Sequence, residues 1–279
     1  MAVWYGLTGY LLPFEWAQHD FMKNALLTIL LVTPLFGLLG TAVVNNRMAF
    51  YSEALGHSAL TGIAIGVILG LKNPLFSMVF FSIILAIGIS TVKSSGDAST
   101  DTIIGVFSAA AVSLGIVILS RGGGFNKYSG YLIGDLLSIA PSEILMLAIV
   151  FIVVLLLWVI IYNKLLLVSV NPSLAHSRGI NVRLHETIFA VIMAVTVTIS
   201  IQWVGLLIIT SLLVLPAAAA RNISKNVRQF TFSSVSITLV SGISGLIFSY
   251  YWGTATGATI VLIAALFYLL TFLLKPWFS

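Results

Sequence analysis

From about Phe21 to Leu274 the chain alternates long apolar runs with short clusters of charged and turn-forming residues. A membrane-spanning helix needs ~20 mostly apolar residues, and most of these runs have that length. The pattern predicts spans over about Phe21–Val44, Met48–Leu71, a third reaching Val92, Thr102–Ser120 and Ile144–Tyr162. Between Thr187 and Arg221 the apolar run is about 35 residues, too long for one ordinary span, and Gln202-Trp203-Val204-Gly205 is the expected turn that divides it. Two more spans follow, about Phe230–Trp252 and Thr256–Leu274. The expectation is an all-α, polytopic helical bundle of nine transmembrane helices, or eight if one of the pair around Gln202 does not cross.

Three segments do not fit a span. Met1–Asp20 is aromatic and interrupted by Pro13, which suits an interfacial segment. Tyr131–Ala140 is too short to cross, carries Asp135 in its middle and is closed by Pro141. It is expected as a membrane-edge or re-entrant helix, whose backbone ends must be satisfied by protein or water. The longest non-spanning stretch is expected over about residues 165–186. Within it, Asn171 to Val182 reads as a short capped helix, with Pro172 at its start and Gly179 at its stop.

Composition agrees with the pattern. Of 279 residues, 59% are hydrophobic and 8% charged, against about 25% charged in soluble domains; the mean hydropathy is +1.13. Little sequence is left for a soluble domain, so 1–279 is read as one transmembrane domain in contact with membrane lipid. The absence of cysteine excludes disulfides and thiolate metal sites. The net charge of +5 does not point to nucleic acid, because the basic residues lie in short loops. With nine spans, Arg47, Lys93, Lys164, Arg178, Arg183, Arg221, Lys225, Arg228 and Lys275 fall on one side and Lys23, Lys72, Arg121 and Lys127 on the other. The nine-to-four bias makes the first side cytoplasmic, with the N-terminus outside and the C-terminus in the cytoplasm.

The polar groups inside the apolar runs carry the candidate chemistry. In the second run Glu53 and His57 lie four residues apart, so a helix puts them on one face and Thr61 continues the ridge. The neighbouring ridge of Ala54, Ser58, Gly62, Gly66 and Gly70 is made of small residues, a groove into which another helix backbone can pack. A carboxylate in hydrocarbon needs a partner or a wet cavity. A divalent cation supplies one, since carboxylate oxygen with neutral imidazole nitrogen suits zinc or manganese. Two ligands are too few for tetrahedral zinc; Thr61, water, other helices or a second copy of the chain would supply the rest. The alternatives are a Glu–His contact that merely ties helices together and a proton relay in an ATPase-independent secondary transporter or channel.

Other polar residues are more equivocal. Asp135 either guides cations or contacts a partner, or it caps or solvates a short helix. Glu143 is placed to favour the N-terminus of the fifth helix. His185-Glu186 begins like a zinc-protease helix, but Phe189 stands where the second His is required. The Asn171–Val182 helix is either a protrusion that docks in a partner's groove or an ordinary loop. No G-x-x-x-x-G-K-[ST] phosphate loop occurs, so any ATPase is a separate chain.

Over nearly its whole length the chain resembles the membrane permease of the bacterial zinc/manganese (metal-cation) ABC transporter family. The similarity is carried by Phe21-Met22-Lys23-Asn24-Ala25-Leu26, Arg47-Met48-Ala49-Phe50 leading into Glu53 and His57, Tyr131 to Pro141, Asn171 to Val182, and the run Val204 to Arg221. The resemblance implies a permease without intrinsic cofactor that imports Zn(II) or Mn(II). It implies a homodimer in the bacterial inner membrane, with two ATPase subunits that bind ATP and an extracytoplasmic metal-binding protein. The family's second-span motif usually reads D-x-x-x-H, and its role in metal passage carries over to Glu53 and His57, with Glu replacing Asp. Thr61 and Asp135 become candidate pathway or gate residues. Asn171, Pro172, Ala175, Arg178 and Gly179 fall in the family's coupling helix, which seats in the ATPase. The form Gly134-Asp135-Leu136-Leu137 is closer to the zinc members.

Overall fold

The computed structural model describes residues 4–6, 8, 14–71, 73–96, 98–122, 134 and 136–277. Among the described residues ten α-helices follow one another: α1 (Asp20–Asn45), α2 (Tyr51–Ile68), α3 (Leu75–Lys93), α4 (Thr100–Gly122), α5 (Pro141–Val170), α6 (Pro172–Ser177), α7 (Val182–Val204), α8 (Leu206–Ile223), α9 (Val227–Trp252) and α10 (Thr256–Leu274). Seven of them, α1, α3, α4, α5, α7, α9 and α10, are long and apolar enough to cross a membrane. The other two long helices, α2 and α8, have 18 residues each. Exposed apolar stripes at helical spacing run along α3 (Phe76, Phe80, Ile84 and Ile87) and α10 (Leu262, Leu266, Leu269 and Leu273).

Two compact units emerge. One consists of Ala42–Leu132 and Val154–Gln202 and contains α2, α3, α4, α6 and most of α7. The other consists of Met1–Thr41, Ile133–Val153 and Trp203–Ser279 and contains most of α1 with α8, α9 and α10.

In the first unit α2 packs against both α3 and α4. The small-residue ridge is the reason it comes so close to α3. A Cβ on Gly62 would run into the backbone of Met78, and one on Gly66 into the Ser77 hydroxyl. Ser58 on the same ridge meets Ser82 Oγ at 2.7 Å. On the α4 side, Gly115 lies under Thr61, 2.8 Å from where its Cβ would sit to Thr61 Oγ1. The turns into and out of α2 are built tightly. Arg47 takes a left-handed φ of 54° while Met48 N–H donates to the Val43 carbonyl at 3.0 Å, a closure that satisfies the end of α1. At the other end Leu71 N–H donates to the Gly66 carbonyl at 2.9 Å, with Gly70 at φ 68°.

The second unit uses the same device. Gly37 of α1 lies against the Val235 backbone of α9, and Ser234 Oγ donates to the Gly37 carbonyl at 2.7 Å. Gly245 of α9 admits Ile260 of α10. In the aromatic N-terminal segment, Trp4 Nε1 donates to the Lys23 carbonyl at 3.0 Å and Tyr5 Oη donates to Asn24 Oδ1 at 2.8 Å, pinning it to the first turns of α1.

The end of the fifth helix differs from the sequence expectation. The helix expected to end at Tyr162 continues through Asn163 and Lys164 to Val170, so residues 165–170 form the last turns of α5. One Asn and one Lys among Leu and Val are good enough helix residues not to stop a helix; Asn171-Pro172 stops it. The break expected over Gln202–Gly205 falls on its last residue alone: α7 runs through Val204, and Gly205, at φ 86°, separates it from α8. At residues 136–138 the structure has a 3-10 turn, and Tyr131 and Asp135 lie outside the described residues.

Because Gly62 has no space for a side chain, Gly62→Val is expected to cost about 1–3 kcal/mol by overpacking. Gly105→Ala, a helical glycine with nothing within 4 Å of its Cβ position, is expected to gain roughly 0.5–1 kcal/mol. Thermal unfolding midpoints in detergent should move in opposite directions.

Candidate functional site

The packing of α2 decides which of its residues remain reachable. From Tyr51 to Ala64 every residue is buried except two, Glu53 and His57. Their side chains are 51% and 27% exposed. With α3 on the small-residue side and α4 against Thr61, the i, i+4 pair occupies the one open stripe of the helix. His57 Nε2 stands 3.6 Å from Glu53 Oε1, an ion-pair distance longer than a hydrogen bond. His57 Nδ1 is buried and has no hydrogen-bond partner. The imidazole therefore has both nitrogens free of strong protein hydrogen bonds, and the carboxylate has oxygens open to a ligand. Glu53 also lies in the first turn of α2, where the helix dipole favours negative charge.

Thr61, on the same ridge, is engaged elsewhere. It is fully buried and donates its hydroxyl to the Ala111 carbonyl of α4. Among the described residues, no group of three or more His, Asp or Glu side chains is gathered that could hold a metal ion. Asp135 lies outside the described residues. Its neighbour Gly134 has φ 72° and fits so closely on the α7–α8 turn that a Cβ would collide with Gly205 and Val204.

Behind the pair runs a chain of hydroxyls that sequence reading did not anticipate. Thr198 Oγ1 of α7 donates to Ser82 Oγ of α3 at 2.8 Å, and Ser82 Oγ meets Ser58 Oγ of α2. Ser and Thr inside apolar runs usually bond back to their own helix, so their spacing alone did not mark this bridge. Nor was the Lys93–Glu186 ion pair at 3.0 Å between α3 and α7 anticipated; Glu186 had attracted notice only as half of a failed protease motif. Glu143 behaves as expected, its Oε2 accepting from Ala140 N–H at 2.8 Å at the start of α5.

The second constellation is α6. Asn171 Oδ1 accepts from Leu174 N–H at 3.0 Å as N-cap, and Pro172 follows in the first turn. The helix is closed by Gly179 at φ 74° and by Ile180 N–H donating to the Ala175 carbonyl at 3.0 Å. Ala175 is fully buried and anchors the helix, while Asn171, Pro172, Leu174, Arg178 and Gly179 are exposed. Asn181 Oδ1 then caps α7 by accepting from Leu184 N–H at 3.0 Å. The result is a firm, short corner with an exposed face, suited to docking.

The fold and these features define a polytopic helical membrane protein with a polar pair on the one open stripe of a helix that is otherwise buried from Tyr51 to Ala64. Residues 18–275 match the ABC 3 transport family. The chain is 34% identical over 255 residues to the high-affinity zinc uptake system membrane protein ZnuB of Haemophilus influenzae, covering 91% of this chain and 97% of that one. To the manganese transport system membrane protein MntC of Listeria innocua it is 31% identical over 260 residues, 93% of this chain and 92% of the other. Among solved structures, PsaBC from Streptococcus pneumoniae in complex with Fab superposes with a TM-score of 0.80 at 26% identity, covering 98% of this chain and 95% of that chain. The chain belongs to the ABC 3 transport family. It is a transport permease subunit, not an enzyme, and ATP hydrolysis resides in a separate subunit.

The Thr61 hydroxyl contributes to α2–α4 packing through one buried hydrogen bond, so Thr61→Val should cost about 0.5–1.5 kcal/mol and Thr61→Ser much less. Chemical or thermal unfolding of the purified permease checks both.

Proposed function

We propose that this chain is the permease of an ATP-driven importer that receives a divalent transition metal, Zn(II) in preference to Mn(II), from an extracytoplasmic binding protein and passes it to the cytoplasm. The observation that carries the reading is the isolation of Glu53 and His57 on the open stripe of α2, with the uncommitted His57 Nδ1 beside them. A carboxylate and a neutral imidazole bind such ions, and water, another helix or a second copy of the chain would complete the ligand set. Two permease copies would bring two Glu and two His to the pathway. Thr61 sets the packing behind the pair, and Asp135 stands as a candidate residue at the pathway's outer end.

The zinc preference is supported by the 34% identity to ZnuB against 31% to MntC and by the Gly134-Asp135-Leu136-Leu137 sequence. The protein sits in the bacterial inner membrane; with nine spans, the nine-to-four bias of basic residues supports an N-terminus outside and a C-terminus in the cytoplasm. The exposed face of α6, with Asn171, Pro172, Arg178 and Gly179 and with Ala175 buried beneath it as the anchor, seats in one of two ATPase subunits. ATP binding and hydrolysis there alternate access to Glu53 and His57 from the two sides of the membrane.

Glu53→Ala and His57→Ala should each reduce Zn(II) uptake by the reconstituted complex to the background of empty vesicles while leaving the complex assembled; normal uptake by both variants removes the site. Glu53→Asp keeps the ligand type but withdraws the oxygens by one methylene, so it should change the Zn(II)-to-Mn(II) preference in competition uptake. Uptake without ATPase or ATP would favour a secondary transporter with a Glu/His proton relay instead.

A further inference from the structure

We propose that the Lys93–Glu186 ion pair is a coupling strut, carrying movement of the α6–α7 corner to the foot of α2 and so to Glu53 and His57. The inference rests on the reading of α6 as the seat of the ATPase. Lys93 is the last residue of α3 and Glu186 lies early in α7. Their charged atoms are 3.0 Å apart and their side chains 21% and 25% exposed. One helical turn back, Ser90 Oγ and Thr187 Oγ1 are 3.0 Å apart, so the two helices are tied at two adjacent points.

The strut reaches α2 through a third element. Lys93 Nζ also approaches Met48 Sδ at 3.9 Å, in the tight turn that delivers the chain into α2. Met48, Tyr51, Ser90, Lys93, Glu186 and Phe189 all line one small cavity. Tyr51, whose buried hydroxyl has no hydrogen-bond partner, is the first residue of α2 and stands two residues before Glu53. On the other side, only the capped residues 178–181 separate α6 from α7, so a push on α6 must displace the start of α7.

A charged, directional link suits this place better than an apolar one. Apolar contacts are non-directional and allow helices to slide, whereas separating a largely hidden Lys–Glu pair leaves two charges to be solvated. The contacts of α2 with α3 and α4 are backbone-close and built on glycine, so α2 and α3 move together. The α3–α7 junction is bridged by side chains, at Ser82–Thr198, Ser90–Thr187 and Lys93–Glu186. The Asp20–Lys23 and Glu53–His57 pairs each lie within a single helix and cannot serve this purpose.

The test uses the whole complex, with its ATPase subunits and binding protein, in proteoliposomes supplied with Zn(II). ATP hydrolysed per ion transported is compared for the wild type, Lys93→Ala, Glu186→Ala and the swap K93E/E186K. The single variants should assemble, keep basal ATP hydrolysis and raise the ATP-per-ion ratio about tenfold, the size of a typical coupling free energy. The swap should restore most of the loss. Single variants with the wild-type ratio, or a swap no better than the singles, overturn the strut. If an alanine variant fails to assemble, Glu186→Gln, which keeps size and an acceptor without the charge, takes its place with the same two outcomes. Wild-type uptake that needs no ATP would remove the ATPase reading and the strut together, and is recognised in the wild type alone.

Discussion

Everything at the candidate site depends on one close contact, the backbone of α2 at Gly62 lying against the backbone of α3 at Met78. In lipid there is no hydrophobic drive to bring helices together, and close packing of small residues with a few hydrogen bonds takes its place. Glycine at position 62 and the small residues before and after it let α3 come close enough for Ser58 and Ser82 to hydrogen-bond. With Thr61 committed to α4, the rotation of α2 is settled. The only direction left for Glu53 and His57 is the uncovered one.

That arrangement resolves a conflict. An ionisable pair on a membrane helix is costly if sealed among apolar side chains and useless if it is. Twelve of the fourteen residues from Tyr51 to Ala64 are buried, while Glu53 and His57 stay accessible on the uncovered stripe. His57 Nε2 stands 3.6 Å from Glu53 Oε1, and His57 Nδ1, although buried, has no hydrogen-bond partner. Three groups that could have locked the site, the hydroxyls of Ser58, Thr61 and Ser82, are turned towards neighbouring helices.

The α6 corner solves a different problem, presenting a rigid protrusion with little chain. An Asn cap, a Pro in the first turn and a left-handed Gly at the end satisfy most of the backbone groups of a helix too short to be stable alone. Since α7 is capped by Asn181 directly afterwards, the protrusion and the long helix share one corner. Side-chain bridges from α7 to α3 then connect this corner to the helix that cradles α2.

Much of this was readable from residues alone because membrane helices leave long, contiguous signals. The apolar runs located the nine long helices among the described residues, Gly205 marked the α7–α8 turn, and Pro172 with Gly179 bracketed α6, the last two because a backbone requirement admits few residue types. The E-x-x-x-H spacing put Glu53 and His57 on one face for the same geometric reason. Where local signals were weak the reading slipped: Asn163 and Lys164 looked like an end but do not break a helix, and α5 runs on to Val170. What the chain alone determined, then, were its helices, their breaks and the ridge on which the polar pair stands, all set by interactions between near neighbours. Which side of that ridge stays open, that Thr61 turns to Ala111, and that Lys93 meets Glu186 across 93 positions of sequence were decided only by tertiary packing, because each depends on which distant helix occupies the adjoining groove.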